Sequence, residues 1–278
     1  MSAARSERGG AVVTGAGRGL GKEIARLLVG RGHTVLVTDL DAAAAAATAE
    51  ELGDRAIAMG VDVRDHSQVE AARDAIVATA GGIEVWVNNA GVLITGPAWE
   101  QDEATRNLML EVNAIGTING TVAALSTMKG RGSGHIVNIA SLAGITAVAG
   151  EAVYAASKHA VMGFSLSTVA DLRAEGVKGI DISCICPDGI WTPMLFDKLD
   201  DPASALSFSG KLLQPEEVVA AIGKTLDKPK LVSIVPKWRG LVARAGDFIP
   251  EFGVAAVPVV IAQGRRVQKR MLAEQRQG

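Results

Sequence analysis

The chain has 278 residues, of which 48% are hydrophobic and 21% charged, and a formal net charge of −2. That length allows a full hydrophobic core, and the near-neutral charge offers neither a basic field for nucleic acid nor a strongly acidic face for a cationic partner. A small soluble molecule is the default ligand, and no nucleic acid is expected. The N-terminal MSAARSERGG lacks the apolar run of a signal peptide, and the apolar stretch at residues 254–262 is interrupted by Pro258 and is too short to cross a bilayer, so a cytoplasmic protein is expected.

Short β-branched runs alternate with longer helix-compatible segments from Ala11 to about Val235, the rhythm of a parallel sheet covered on both faces. Strands are expected at residues 11–14, 34–38, 56–61, 85–88, 135–139, 181–186 and 232–235. Helices are expected at about 20–30, 42–52, 67–80, 103–128, 151–175 and 215–226. The fold class is therefore α/β: one doubly wound parallel sheet of Rossmann type over residues 1–235, with a helical extension at 236–278. The alanine tract that begins at Ala42 reads as helix surface, with Asp41 as its N-cap. Cys184 and Cys186 stand two apart in an apolar run and read as reduced core residues on one strand face; neither the spacing nor the neighbours suit a metal.

After the first strand comes TGAGRGLG, from Thr14 to Gly21, running directly into a helix. Gly15, Gly19 and Gly21 give the spacing Thr-Gly-x-x-x-Gly-x-Gly. Such a turn lets backbone N–H groups at the helix start, around Arg18, Gly19, Leu20 and Gly21, face a pyrophosphate without Cβ atoms in the way. At the end of the second strand, the Asp39 carboxylate would accept hydrogen bonds from adenosine ribose hydroxyls and repel a 2′-phosphate. Arg18 is a nearby cation, but no Arg or Lys follows at Leu40, so NAD is expected over NADP.

Further on, Tyr154 and Lys158 are four residues apart in a helical pattern, thirteen residues after Ser141, and Tyr154 is the only tyrosine in the chain. The spacing puts the ammonium on the same helix face as the phenol. A neighbouring positive charge favours phenolate, as a proton acceptor near neutral pH requires. Taken singly, Ser141 also reads as a turn cap and Asn113 as a buried helix polar group satisfied by backbone.

With these motifs in order, the chain resembles the classical short-chain dehydrogenases/reductases from about Ala11 to Thr192, and more weakly to about Val235. The resemblance rests also on Asp62-Val63 after the third strand, Asn88-Asn89-Ala90-Gly91 after the fourth, and Asn113 in the long helix. It implies NAD along the C-terminal edge of the sheet, with Asp62 and Val63 beside the adenine and Asn89, Ala90 and Gly91 beside the nicotinamide ribose. It implies Tyr154 as acid/base, Ser141 holding the substrate oxygen, Lys158 on the ribose hydroxyls, and Asn113 positioning a water in a proton relay. Pro187, Gly189, Ile190 and Thr192 would reach the carboxamide, and the molecule would be a homodimer or homotetramer through the helices of Asn113 and Tyr154. A non-catalytic NAD(P)-binding regulator of the same fold is the alternative. The family commonly has Pro-Gly where this chain has Pro187-Asp188-Gly189; Asp188 reads as a turn variant tolerating left-handed backbone, or as a carboxylate that stabilises cationic NAD⁺.

The segments expected around the substrate are apolar: Leu93, Ile94 and Trp99; Leu142, Ile145 and Val148; Trp191, Met194, Leu195, Phe196 and Phe208. An apolar alcohol or ketone is the expected substrate. In the extension, Pro258 is placed to start a helix, with Arg265, Arg266, Lys269 and Arg270 following. The extension reads first as a cover for the pocket or a subunit contact. A basic amphipathic helix on a membrane surface is the weaker reading, because Val259–Ile261 and Gly264 give a poor stripe.

Overall fold

The computed structural model of the protein describes residues 8–275. Its centre is a seven-stranded, all-parallel sheet in the order β3-β2-β1-β4-β5-β6-β7. The strands are β1 Gly10–Thr14, β2 Thr34–Asp39, β3 Ala56–Gly60, β4 Ile83–Asn88, β5 Gly134–Ile139, β6 Ile180–Pro187 and β7 Val232–Val235. The helices are α1 Gly19–Gly30, α2 Ala42–Leu52, α3 His66–Ala80, α4 Glu103–Leu110, α5 Gly116–Arg131, α6 Ala152–Ala174, α7 Pro193–Phe196, α8 Pro215–Asp227, α9 Lys237–Phe248 and α10 Pro250–Gln275.

Alternation along the strands sorts the core into two layers. Val13, Val35, Val37 and Val87 meet Ile24 and Leu28 of α1, Ala45 and Ala49 of α2, and Val218 and Ile222 of α8. Val12, Leu36, Trp86 and Ile136 point the other way, onto α3, α5 and α6 through Ile76, Met128 and Leu172. Both faces of β1 are therefore dry, and the continuous apolar run GAVV follows from that. Aspartates start several elements: Asp41, Asp65 and Asp102 accept from first-turn N–H groups of α2, α3 and α4, and Asp201 does so for the 3₁₀ segment Pro202–Phe208. Each such cap stabilises its helix by about 1 kcal/mol.

Chain order reverses between β1 and β4, so the loops after these strands splay apart and leave a crevice at the C-terminal edge of the sheet. The glycine turn and Asn89–Gly91 flank this crevice. The expected long helix 103–128 is interrupted: Glu111–Ile115 forms a π-turn between α4 and α5. Asn113 explains it, since its amide is engaged sideways rather than facing solvent, and such single wide turns recur at functional sites.

Beyond β7, α9 and α10 lie outside the sheet. The α10 backbone packs tightly on Pro202–Phe208, where a Cβ on Gly264 would fall 1.7 Å from the Ala205 carbonyl oxygen. Gln268 Nε2 donates to the Asp201 carbonyl and to Ser204 Oγ, both at 2.9 Å. Pro258 does not begin a helix as expected. It sits inside α10, which starts at Pro250, where the missing proline N–H is harmless because a first-turn N–H has no intrahelical partner.

Candidate active site

A cavity of about 680 Å³ runs along the crevice from the glycine turn to α7. At the β1 end its wall is backbone. Gly15 and Gly19 have φ of +62° and +58°, and a Cβ on Gly21 would fall 2.2 Å from the Gly15 carbonyl oxygen and 2.5 Å from Asn89 Nδ2. The α1 N-cap residue, Arg18, is extended and makes no side-chain cap, so the first N–H groups of the helix are left to face an anion. Asn89 ties the two loops together by donating from Nδ2 to the carbonyls of Thr14 and Gly15, each at 2.9 Å. Thr14 Oγ1 completes the tie by accepting from the N–H groups of Asn89 and Ala90 at 3.0 and 3.1 Å. These residues fit a dinucleotide: an uncapped helix start, glycines where no side chain has room, and a carboxylate at the next strand end.

That carboxylate, Asp39, is fixed by backbone: Oδ2 accepts from Gly17 N–H at 2.9 Å and Oδ1 from Asp41 N–H at 3.1 Å. Helix capping, its rival role, falls to Asp41. Asp62 and Val63 line the cavity beside it. Asp62 is held by Arg64, whose Nε and Nη2 donate to its oxygens at 3.0 and 2.6 Å; these hydrogen bonds keep the carboxyl below its usual range.

At the other end stand Ser141, Tyr154 and Lys158. Ser141 leaves β5 at the head of the 3₁₀ turn Leu142–Gly144, and its Oγ accepts from Ala143 N–H at 3.1 Å, so it both caps a turn and lines the cavity. Tyr154 and Lys158 share one face of α6, with Lys158 Nζ 5.7 Å from the phenol ring centroid. Nζ also donates to the Ile139 carbonyl at 3.0 Å. Burial pushes the ammonium down to about 8, which leaves it mostly charged at neutral pH. In the protein alone the phenol moves opposite to the expected direction. Burial and the Glu151 carboxyl push Tyr154 above its ordinary range, and a hydrogen bond with Ser141 only partly opposes them.

Asn113 is fully buried in the π-turn. Its Oδ1 accepts from Val92 N–H at 2.8 Å, while Nδ2 donates to the Val92 carbonyl at 3.0 Å and Ser157 Oγ at 2.9 Å. It is the buried helix polar group satisfied by backbone that the sequence allowed, but that backbone is Val92, so the side chain clamps the loop after β4 to α6.

Pro187, Gly189, Ile190 and Thr192 line the cavity after β6. Asp188 serves neither role expected of it. No non-glycine residue among those described has positive φ, so the slot does not demand left-handed backbone. Its carboxylate is taken by Arg239 of α9, Nε to Oδ2 at 2.6 Å, in a pair that is largely buried. A carboxylate neutralised in this way is not a free counter-charge for NAD⁺.

Leu93, Ile94, Leu142, Val148, Met194 and Leu195 line the cavity as expected. Others do not. Trp99 is 85% exposed, Phe208 is in the core with Leu195 and Leu199, Ile145 packs beside Cys184 and Cys186, and Trp191 packs in a tilted contact on Phe196, ring centroids 5.2 Å apart. Both cysteines are free and buried, and burial pushes the Cys186 thiol up to about 12, leaving it inert.

Sequence reasoning missed Glu151. It lies one helical turn before Tyr154, lines the cavity and is 2% exposed; its Oε1 accepts from Ser207 Oγ at 2.5 Å. Burial raises it to about 7, with Asp201 and Asp188 adding to the shift. The three-residue spacing from Tyr154 was the available signal. Arg64 and Arg239 also line the cavity; Arg64 stands two residues after its partner Asp62, whereas Arg239 had no signal, because its partner Asp188 is 51 residues away.

Residues 10–203 match the family described as short chain dehydrogenase. The chain belongs to that family. It is 33% identical over 215 residues to the 3-oxoacyl-[acyl-carrier-protein] reductase FabG of Vibrio harveyi, covering 76% of this chain and 87% of that protein. It is 31% identical over 267 residues to the putative oxidoreductase SadH of Mycobacterium tuberculosis, covering 91% and 94%. The crystal structure of a short chain dehydrogenase/reductase from Burkholderia phymatum in complex with NAD superposes with a TM-score of 0.81 at 26% identity, over 90% of this chain and 97% of that one. The protein is thus an oxidoreductase of the short-chain dehydrogenase/reductase family, with the family's NAD(P)-binding Rossmann sheet.

Proposed function

We propose that the protein is an NAD-dependent dehydrogenase/reductase that interconverts an apolar secondary alcohol and its ketone, with Tyr154 as the acid/base. The observation that carries this reading is the placing of Ser141, Tyr154 and Lys158 in the same cavity as the glycine turn, with the Lys158 ammonium 5.7 Å from the phenol ring. Bound NAD⁺ supplies the ring that accepts hydride and a positive charge beside the phenol. The Ser141 hydroxyl holds the carbinol oxygen, and the Tyr154 oxygen takes its proton as charge develops there. The Ser141 hydrogen bond works against the burial that raises the phenol, Lys158 sets its ammonium beside the ring to hold the ribose hydroxyls, and Asn113 fixes the loop that carries Gly91 by clamping Val92. Leu93, Ile94, Leu142, Val148 and Met194 supply an apolar wall that excludes water and suits a hydrophobic alcohol.

Asp39, with both oxygens already placed by backbone N–H groups, supports NAD over NADP. A homodimer or homotetramer is proposed through the helices of Asn113 and Tyr154, where Leu110, Ile115, Val122 and Leu166 are exposed. The test is a screen at the nicotinamide absorbance, with NAD⁺ and NADP⁺, over apolar secondary alcohols and over sugars and polyols. Reduction of NAD⁺ by the apolar set supports the reading. Turnover confined to polyols would refute the substrate class, and a protein that binds NAD⁺ but turns over nothing would be the regulator instead.

A further inference from the structure

Helix α9 inverts the usual arrangement of an amphipathic helix. The side turned to the protein is built from small residues: Ala243 is buried, and a Cβ on Gly240 would fall 2.4 Å from Ile234 Cδ1 of β7. The large apolar side chains are on the outside. Trp238, Leu241, Val242 and Phe248, with Ile249 just beyond the helix, recur at helical spacing and are all exposed, Leu241 by 74% and Phe248 by 88%. Val254 and Val259 of α10 are exposed as well. A single stripe with this much aromatic and aliphatic surface marks a contact site rather than scattered surface hydrophobics.

Charge identifies the partner. Residues 236–278 carry eight Lys and Arg against three Asp and Glu, in a chain whose net charge is −2. Lys237 and Arg244 are exposed and, seven residues apart, lie in one line along the edge of the stripe. Arg265, Arg266, Lys269 and Arg270 are exposed on α10. A second copy docked stripe to stripe would bring the same cations face to face, because a two-fold contact pairs a surface with itself. An anionic lipid surface meets both features at once: its acyl boundary takes the apolar stripe and its head groups take the flanking cations.

We propose that α9 and the start of α10 form a peripheral membrane-docking face that selects anionic lipid, with Trp238, Leu241 and Phe248 entering the interface. The poor stripe at Val259–Ile261 is not the docking element; α9 is. Arg239, pointing from the same helix into the cavity wall, sets the docked face beside the cavity, so an apolar substrate could be drawn from the lipid. That last clause rests on the substrate reading above, whereas docking does not.

The experiment is co-sedimentation of the full chain with vesicles of phosphatidylcholine containing phosphatidylglycerol, against vesicles of phosphatidylcholine alone. Low and high salt are compared, and tryptophan fluorescence is recorded in parallel. The comparison variants are Leu241→Glu with Phe248→Glu, and Lys237→Glu with Arg244→Glu. Both pairs are exposed, and each variant's far-UV spectrum and melting curve serve as the folding control. The proposal expects binding to the anionic vesicles with a blue-shifted tryptophan signal, weakening in high salt. It expects a loss of about tenfold or more in vesicle partitioning for each double variant. Wild-type protein remaining in the supernatant with both vesicles would overturn it. So would undiminished binding of Leu241→Glu/Phe248→Glu, or a stripe whose substitution changes only the oligomeric mass measured by light scattering. Failure of the alcohol screen with intact vesicle binding would sink the substrate reading and leave docking standing.

Discussion

At the β1 end of the cavity the wall is made of backbone: glycines with φ near +60°, uncapped N–H groups of α1, and loops pinned by Asn89 and Thr14. At the far end the wall is made of side chains from segments remote in sequence: Glu151 and Ser207 meet across it, and Asp188 meets Arg239 from beyond the sheet. The first region fits a dinucleotide and leaves little room for added side chains. The second carries titratable groups and, through Asp188 and Arg239, depends on the extension; under the proposed function it is the part that selects the substrate.

The sharpest probe of this contrast is pH. Glu151 is raised in the fold to about 7 from an ordinary 4.5. The neutral form is favoured in the folded state, so the group's contribution is intact below its unfolded pKa and is lost as pH rises from about 4.5 through 7. Glu151→Gln should remove that loss, roughly 3 kcal/mol in all, making the variant gain on wild type in unfolding free energy across this window. Parallel stability curves for the two proteins between pH 4 and 8 would contradict the assignment of the shift to this residue.

Next in size is the backbone end. Gly21→Val introduces atoms where a Cβ alone meets Gly15 O at 2.2 Å, and should weaken NAD⁺ binding by about 100-fold while the pH behaviour set by Glu151 persists. Calorimetric titration reads this, and near-native affinity would show the turn to be more pliable than described. Arg239→Gln leaves Asp188 without its cation in a largely buried place and should cost about 2 kcal/mol of stability, seen by denaturant melts. On Asp188→Gly the ratio of NAD⁺ to NADH affinity should stay put, since Asp188 is paired with Arg239 and is not a counter-charge in wild type. A large change in that ratio on Asp188→Gly would restore the opposite view. The smallest effect is expected from Asp39→Ala: a shift of about tenfold in the ratio of kcat/KM for NAD⁺ over NADP⁺, toward NADP⁺. An unchanged ratio would remove the selective role given to that carboxylate.

The backbone-built region was legible in the sequence because its physics is local. Glycine spacing and a carboxylate at a strand end are fixed by strand and helix geometry before any tertiary contact forms, as is the i, i+4 pair at the other end, and the seven strands lie where the sequence pattern places them. The side-chain-built region was mostly not legible. Trp99 and Phe208 looked alike as apolar residues near the cavity, yet one is exposed and the other is core, a distinction made only by packing. Asp188 reads from sequence as a turn variant or a counter-charge for NAD⁺, because its partner, Arg239, is 51 residues away. The π-turn at Asn113 was hidden too, since nothing in a helical pattern reports a side chain reaching sideways to Val92 and Ser157.

The central claim is that the Tyr154 oxygen carries the proton of the reacting alcohol. Tyr154→Phe keeps the ring and removes only that oxygen, so NAD⁺ affinity by calorimetry should match wild type while NADH formation at the nicotinamide absorbance falls by about 1,000-fold or more. Turnover within tenfold of wild type, with NAD⁺ still bound, would contradict the account.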